Sequence, residues 1–129
     1  MRFKITKIGF ITRTFVRANP DKIFLFGDNL LGRGNGGQAA AMRGEPNAIG
    51  IPTKKTPTHQ TDAFFTDAEF EQNKAAIDSA FGQLVGLNDG PEIVIPSAGL
   101  GTGLAKLPDL APRTFEYLER RLALLEESI

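Results

Sequence analysis

The chain has 129 residues and a formal net charge of zero. This length suits one domain with a single core and is short for two. The balanced charge excludes a protein that binds nucleic acid through bulk positive charge, so any nucleic-acid contact is expected to be local. Cysteine is absent, which excludes disulfides, and no apolar run approaches the roughly 20 residues of a membrane span. The composition therefore predicts a single-domain cytoplasmic protein that does not enter a membrane.

The N-terminal segment, residues 2–16, is rich in β-branched and aromatic side chains that alternate imperfectly with polar ones. This pattern predicts one or two strands, with a hairpin through Lys7 to Gly9. Asn19-Pro20-Asp21 ends the segment. Four consecutive apolar residues from Ile23 then predict a strand that is buried on both faces, as in a parallel sheet, and that ends at Gly27.

The middle of the chain begins with a short alanine-rich helix predicted over residues 38–42, with Gly44 as its C-terminal cap. Residues 48–52 predict a second buried strand, which stops at Pro52. A polar loop follows up to Ala63.

A longer helix is predicted over residues 67–85. Thr66 and Glu69 have the spacing of a capping box, and Phe65 and Phe70 occupy the positions of a hydrophobic staple around that cap. The apolar stripe of this helix consists of Phe70, Ile77, Phe81 and Leu84.

The last third of the chain continues the alternation of strand and helix. A turn is predicted at residues 88–91 and a third buried strand at residues 93–95, and Asp109 is expected to cap a final helix. The apolar stripe of that helix consists of Ala111, Phe115, Leu118, Leu122 and Leu125. Such alternation predicts an α/β domain with a mostly parallel sheet.

Two glycine-rich turns follow buried strands, the first at residues 27–37 and the second at residues 97–103. A strand that ends in glycine and leads into a helix leaves free N–H groups that can hold phosphate. Because ligands of open α/β sheets bind beyond the carboxyl ends of the strands, both turns and Pro52-Thr53-Lys54 are expected to line one crevice. The alternative is that these glycines only permit tight turns. No Gly-Lys-Ser/Thr follows, which disfavours magnesium-triphosphate chemistry of the Walker type.

Several side chains in these turns have two interpretations. Asp28 and Asn29 either hydrogen-bond a sugar or base edge or form an Asx-type turn. Lys54 and Lys55 either pair with phosphate, supply a nucleophile if one of them is desolvated, or are solvated loop charges, and composition alone favours the last. No histidine lies near Ser97 or Thr102 in sequence, so a serine triad is not expected. These two hydroxyls are either donors to a ligand or turn formers.

The remaining polar side chains near these turns point less clearly to a function. His59 is the only histidine and has no cysteine or second histidine to join it, so a zinc site is not expected. Arg33 and Arg43 flank the first turn, and Arg33 is placed to reach an anion, although an exposed loop arginine is the commoner case. The sequence predicts neither a metal nor a cofactor.

From Lys22 onward, the order of these motifs resembles that of a small macro domain, the α/β module that binds ADP-ribose and its derivatives. Asn29 ahead of residues 32–37 resembles the family's strand-end Asn, and Pro96 with residues 99–103 resembles the loop that wraps the diphosphate. The closest resemblance is to the branch with terminal ADP-ribose protein glycohydrolase and the DNA ADP-ribosyl glycohydrolase antitoxins. There a Thr-Lys at a strand end, matched by Thr53-Lys54, supplies a lysine that attacks the ribose carbon.

The resemblance implies a three-layer macro-like domain over residues 1–129 with a mixed, mostly parallel central sheet. It implies binding of ADP-ribose or a related NAD-derived nucleotide. Two functions stay open: metal-independent hydrolysis of ADP-ribosyl linkages on protein or nucleic acid, and non-catalytic reading of ADP-ribosylated partners or sequestering of a nucleotide. Ala105 occupies the position of an acid that assists the lysine in that branch, which favours the reader. Asp28 or Asp109 substitutes for that acid only if the fold brings it to the sugar.

The residues implied as catalytic are Lys54, Asn29 and Asp28. The residues implied as ligand-binding are Gly27, Asp28, Asn29, Gly34, Asn35, Gly36, Gly37, Gln38, Thr53, Ser97, Gly99, Leu100, Gly101, Thr102 and Gly103.

Overall fold

The structure is a computed structural model that describes residues 3–84 and 90–126. Its centre is a four-stranded sheet in the order β1-β4-β2-β3. Every pair of neighbouring strands is parallel, so the prediction of an α/β domain with a mostly parallel sheet is confirmed. The expectation of a mixed sheet is wrong for the described residues, because no antiparallel strand joins these four. The only antiparallel pairing found in the described ranges is an isolated bridge between Lys54 and Phe64. The strands are β1 (Ile5–Ile8), β2 (Ile23–Asn29), β3 (Ala48–Lys54) and β4 (Ile93–Pro96).

Helices pack on both faces of this sheet. On one face, Leu25 and Ile51 pack with the buried side chains of the long third and fifth helices. On the other face, Phe24 and Phe26 pack with the first and second helices. Because side chains alternate along a strand, the continuous apolar run of β2 supplies both faces. The helices are α1 (Arg13–Ala18), α2 (Ala39–Met42), α3 (Phe70–Phe81), α4 (Leu107–Leu110) and α5 (Pro112–Glu126).

The predicted N-terminal hairpin through Lys7 to Gly9 is wrong. β1 pairs with β4 in a parallel arrangement, and the chain then forms α1 instead of a second strand. The Thr12 side chain accepts a hydrogen bond from the amide of Phe15 at 3.1 Å and caps this helix. Val16 is fully buried. The cap and this burial outweigh the strand propensity of the β-branched residues.

The long middle helix is shorter than predicted. A 3₁₀ turn spans Asp67–Glu69, α3 begins at Phe70, and a second 3₁₀ turn spans Gly82–Leu84. The Thr66 side chain makes no capping hydrogen bond, and Glu69 forms an ion pair with Lys55 instead of completing a capping box. The predicted helix end at residue 85 and the first part of the predicted turn at residues 88–91 lie outside the described residues.

The cap of the C-terminal helix comes from a distant part of the chain. Asp109 lies inside α4 and does not cap α5. The Asp67 carboxylate instead accepts hydrogen bonds from the amides of Arg113 at 2.8 Å and Thr114 at 3.0 Å, and from the Thr114 hydroxyl at 2.9 Å. The predicted apolar stripe of this helix does face the core. No helix among the described residues is long and apolar enough to cross a membrane.

Replacing Asp67 with alanine is expected to lower the free energy of unfolding by about 1–2 kcal/mol at neutral pH, the usual cost of losing an N-cap. Burial alone would raise the pKa of Asp67, but hydrogen bonds from Arg113 and Thr114 outweigh it and lower that pKa. The contribution is therefore fully present above the unfolded-state pKa and is lost as pH falls through the folded-state pKa. Urea unfolding as a function of pH tests this. The matched control is Asp62→Ala, an exposed carboxylate, and equal losses in both variants would contradict the cap.

Candidate functional site

A cleft of about 410 Å³ lies at the carboxyl edge of the sheet. The segments that follow all four strands contribute to it: Phe10 after β1, residues 33–39 after β2, Pro57 and His59 after β3, and residues 98–99 and 101–105 after β4. The parallel register brings these segments to one edge. The structure therefore places both glycine-rich turns and Thr53-Lys54 around one cavity.

All but two of the predicted site residues line this cleft. Leu100 is only 1% exposed, because its side chain packs into the core. Ser97 lies outside the lining, and its amide donates to the carbonyl of Ile8 at 2.7 Å, which continues the pairing of β4 with β1. The predicted residues that do line the cleft are Gly27, Asp28, Asn29, Gly34, Asn35, Gly36, Gly37, Gln38, Thr53, Lys54, Gly99, Gly101, Thr102 and Gly103.

Arg43 connects the first glycine-rich turn to the end of β2. Its Nε donates to the carbonyl of Gly34 at 2.7 Å. Its Nη2 and Nη1 donate to the two carboxylate oxygens of Asp28 at 2.6 and 3.2 Å. The guanidinium also lies 5.5 Å from the ring centroid of Phe26. The charge of Asp28 is therefore balanced by the Arg43 guanidinium, which also connects the turn to the sheet.

Asn29 forms the Asx-type turn that was one of its two predicted roles. Its Nδ2 donates to the carbonyl of Arg33 at 2.7 Å, and its Oδ1 accepts from the amide of Leu31 at 3.0 Å. Asp28 Oδ1 also accepts from the Asn29 amide at 2.8 Å. Both side chains thus shape the turn in this structure.

The two turns present backbone donors that have no protein partner. Within residues 3–84 and 90–126, the amides of residues 34–37 and 101–103 donate to no protein acceptor. The second turn lies against the end of β2, since a Cβ on Gly27 would be 3.3 Å from Thr53 Oγ1 and 3.4 Å from the Gly101 amide nitrogen. Free amides that line a cleft are suited to bind an anion.

Lys54 is a buried cation, and the interpretation as a solvated loop charge does not fit it. The residue is 7% exposed, its Nζ donates to the carbonyl of Thr58 at 2.7 Å, and it lies 4.6 Å from the ring centroid of Phe64. None of the ion pairs among the described residues includes it, whereas Lys55 pairs with Glu69. Burial lowers the pKa of Lys54. A larger fraction of this amine is therefore neutral at a given pH than for an ordinary lysine.

Asp28 is the one carboxylate among the residues that the structure places around the cleft. Ala105 also lines it, whereas Asp109 does not. Asp109 therefore does not supply the acid that the resemblance requires near the sugar. Asp28 has the right location, but its carboxylate is paired with Arg43.

Two large, exposed apolar residues that line the cleft were not among the predicted site residues. Phe10 is 71% exposed and lines the cleft at the end of β1. Leu104 is 53% exposed, and its Cδ1 lies 2.9 Å from the position that a Cβ on Gly36 would take. Phe10 could have been predicted as a cleft residue, because it follows β1 in the same way that the glycine-rich turns follow β2 and β4. The predicted hairpin at Lys7 to Gly9 hid this relation.

Gly101→Ala is expected to lower the free energy of unfolding by about 1–3 kcal/mol. Gly101 has a φ of +79°, and a Cβ there would lie 3.1 Å from side-chain atoms of Leu107 and Thr53. The control is Gly103→Ala in the same turn, where φ is not positive and nothing lies within 4 Å of the added Cβ. Chemical unfolding of both variants measures the difference. A loss in Gly103→Ala as large as in Gly101→Ala would show that the conformation of Gly101 is not the cause.

No group of three or more His, Cys, Asp or Glu residues in the described ranges is arranged to hold a metal ion. No curated protein and no solved structure gives a significant match to the chain. A family model, described as a family of unknown function, DUF7831, matches residues 6–121. That span includes every residue that lines the cleft. The chain belongs to this family of unknown function, DUF7831.

Proposed function

We propose that the chain is a three-layer, macro-like domain that binds ADP-ribose or a related NAD-derived nucleotide in this cleft. The observation that carries the proposal is the meeting of two glycine-rich turns, with unpartnered amides, beside a buried lysine. Diphosphate oxygens are strong acceptors, and backbone amides in such turns bind them well.

The order of the strands supports a defined orientation of the ligand. Along the carboxyl edge the cleft presents Phe10 at β1, the second turn at β4, the first turn at β2 and Lys54 at β3. Three strand spacings separate β1 from β3, which is about 14 Å at about 4.8 Å per strand. The ligand that fits this order has a base against the aromatic ring at one end and a diphosphate against the turns in the middle. Its distal ribose lies beside the amine at the other end.

The charge of the cleft also favours an anion. Lys54 and Arg33 are the lining cations without a carboxylate partner in the described part of the chain, and Arg43 neutralises Asp28. A diphosphate therefore meets no uncompensated negative side chain among the lining residues.

In the hydrolytic form of the proposal, the distal ribose lies beside Lys54. The neutral Nζ attacks the anomeric carbon and forms a C–N bond, while the bond to the modified protein or nucleic-acid atom breaks. The departing atom takes the bonding electron pair and the proton that Nζ loses as its new bond forms, and water later cleaves the C–N bond, which releases ADP-ribose and restores the lysine amine. The second candidate is a reader without catalysis, favoured by Ala105 and by the pairing of Asp28 with Arg43.

Titration with ADP-ribose, and with AMP and NAD as controls, tests binding through the melting temperature. Saturation at about 100 times Kd is expected to add about 2.7 kcal/mol of stability, enough for a shift of several degrees. The absence of a shift with all three nucleotides would overturn the proposal. Incubation of stoichiometric protein with an ADP-ribosylated substrate separates the two forms, because a reader leaves the substrate intact.

A further inference from the structure

We infer that the Phe10 end of the cleft holds the nucleobase by stacking and does not read its hydrogen-bonding edge, so that the site accepts bases other than adenine. This inference rests on the proposed function and concerns the class of nucleotide that the site takes. It is carried by the hydrogen bonds that the polar side chains lining the cleft already make within the protein.

The carboxamide nearest to this end is already occupied. Gln38 Nε2 donates to the carbonyl of Ile11 at 2.8 Å, and Gln38 Oε1 accepts from the amide of Ile11 at 2.7 Å. The Gln38 side chain thus makes the same pair of hydrogen bonds to Ile11 that a neighbouring strand would make. It holds the segment that carries Phe10 and is not available to recognise a base edge.

Three further residues that line the cleft offer little discrimination between bases. Ala39 and Ala98 are apolar, and the Thr102 hydroxyl donates to the carbonyl of Ala98 at 2.8 Å. The Thr102 oxygen can also accept a hydrogen bond, so it does not distinguish an exocyclic amine from a carbonyl through a fixed donor or acceptor. Of the lining carboxylate and carboxamide side chains, Asp28 and Asn29 are engaged as described, and Asn35 alone makes no side-chain hydrogen bond in the described ranges.

An exposed aromatic ring suits a base of any identity. Stacking on an aromatic side chain is tolerant of sequence because every base has a π-face. Phe10 is 71% exposed at the edge of the cleft, so a base can cover its ring without displacing core side chains.

The test compares ADP-ribose with its hypoxanthine counterpart, inosine diphosphate ribose. Hypoxanthine carries a carbonyl where adenine carries an amine, so a site that reads this edge is left with an unpaired group and loses affinity. We expect the two dissociation constants to agree within about threefold. In Phe10→Ala both are expected to rise by about tenfold and to the same extent, whereas Phe10→Tyr is expected to keep both near the original values.

Three results would overturn the inference while leaving nucleotide binding intact. They are a preference of more than about tenfold for ADP-ribose, unchanged affinity for both nucleotides in Phe10→Ala, and a loss in Asn35→Ala confined to ADP-ribose. Failure of the unaltered protein to bind either nucleotide would instead overturn the proposed function. Melting temperatures of the variants show that each is folded, as expected for an exposed position.

Discussion

Lys54→Ala is expected to abolish release of ADP-ribose from a modified substrate while ADP-ribose affinity stays within about tenfold, a difference of about 1.4 kcal/mol. The variant lacks the one amine that is buried in the cleft, but it retains the free amides of both glycine-rich turns. In the proposed hydrolytic function, chemistry and binding therefore depend on different groups. Product formation under single-turnover conditions and a separate titration with ADP-ribose measure the two quantities.

Lys55→Ala is the matched control for this prediction. Lys55 is the next residue in the chain and carries the same charge, but it pairs with Glu69 and does not line the cleft. Turnover by the Lys55→Ala variant is expected to remain close to that of the unaltered protein. Unchanged turnover in Lys54→Ala would remove this lysine from the mechanism, and absence of turnover in the unaltered protein would favour the reader.

The pH dependence of turnover distinguishes two roles for Lys54. Burial lowers its pKa below the ordinary lysine value of 10.5. A nucleophilic role requires the neutral amine, so the rate rises with pH and levels off above the lowered pKa. A role as a charged stabiliser requires the ammonium, so the rate falls over the same range. Lys54→Arg adds an independent check, because arginine keeps the charge but does not become a neutral nucleophile.

β2, β3 and β4 were predictable from their apolar residues, although β2 and β3 each continue two residues past their predicted ends at Gly27 and Pro52. β2 and β4 have buried side chains on both faces of the sheet. Such strands appear in the sequence as continuous apolar runs, as in β2 and β4. α1 was not predictable from local pattern, since its β-branched residues favour a strand and its helix depends on the Thr12 cap and on burial of Val16. The N-cap of α5 by Asp67 depends on two segments that meet only in the fold.

The features of the site also divide into those that the sequence predicts and those that it does not. The glycine-rich turns and Lys54 could be predicted because each follows a buried strand, and parallel strands bring such segments to one edge. The sequence contains no local signal for the bonds from Arg43 to Asp28 and Gly34, because these residues are separated along the chain. Without that information the expected role of Asp28 remained a choice between a ligand contact and a turn.

Arg43→Gln is expected to lower the free energy of unfolding by about 1–3 kcal/mol, since it leaves the charged group of Asp28 without its partner. It is also expected to weaken ADP-ribose binding by at least about tenfold. The unpaired carboxylate would line the cleft that we propose to hold the diphosphate, and the first turn would lose its bond from Arg43 to Gly34. Urea unfolding and ADP-ribose titration measure both effects. Arg33→Gln is the control for stability, because Arg33 is exposed in the same turn and forms no ion pair among the described residues.

Asp28→Asn introduced into Arg43→Gln separates charge from positioning. If repulsion by the free carboxylate causes the loss, the double variant recovers affinity, and the two changes show a coupling free energy of about 1–3 kcal/mol. If the bond from Arg43 to Gly34 causes it, affinity stays low, because asparagine does not restore that bond. Asp28→Asn alone then tests the implied catalytic role. Turnover that survives in this variant would identify Asp28 as a charge that Arg43 keeps away from the ligand, and turnover lost with ADP-ribose affinity intact would identify it as the missing acid.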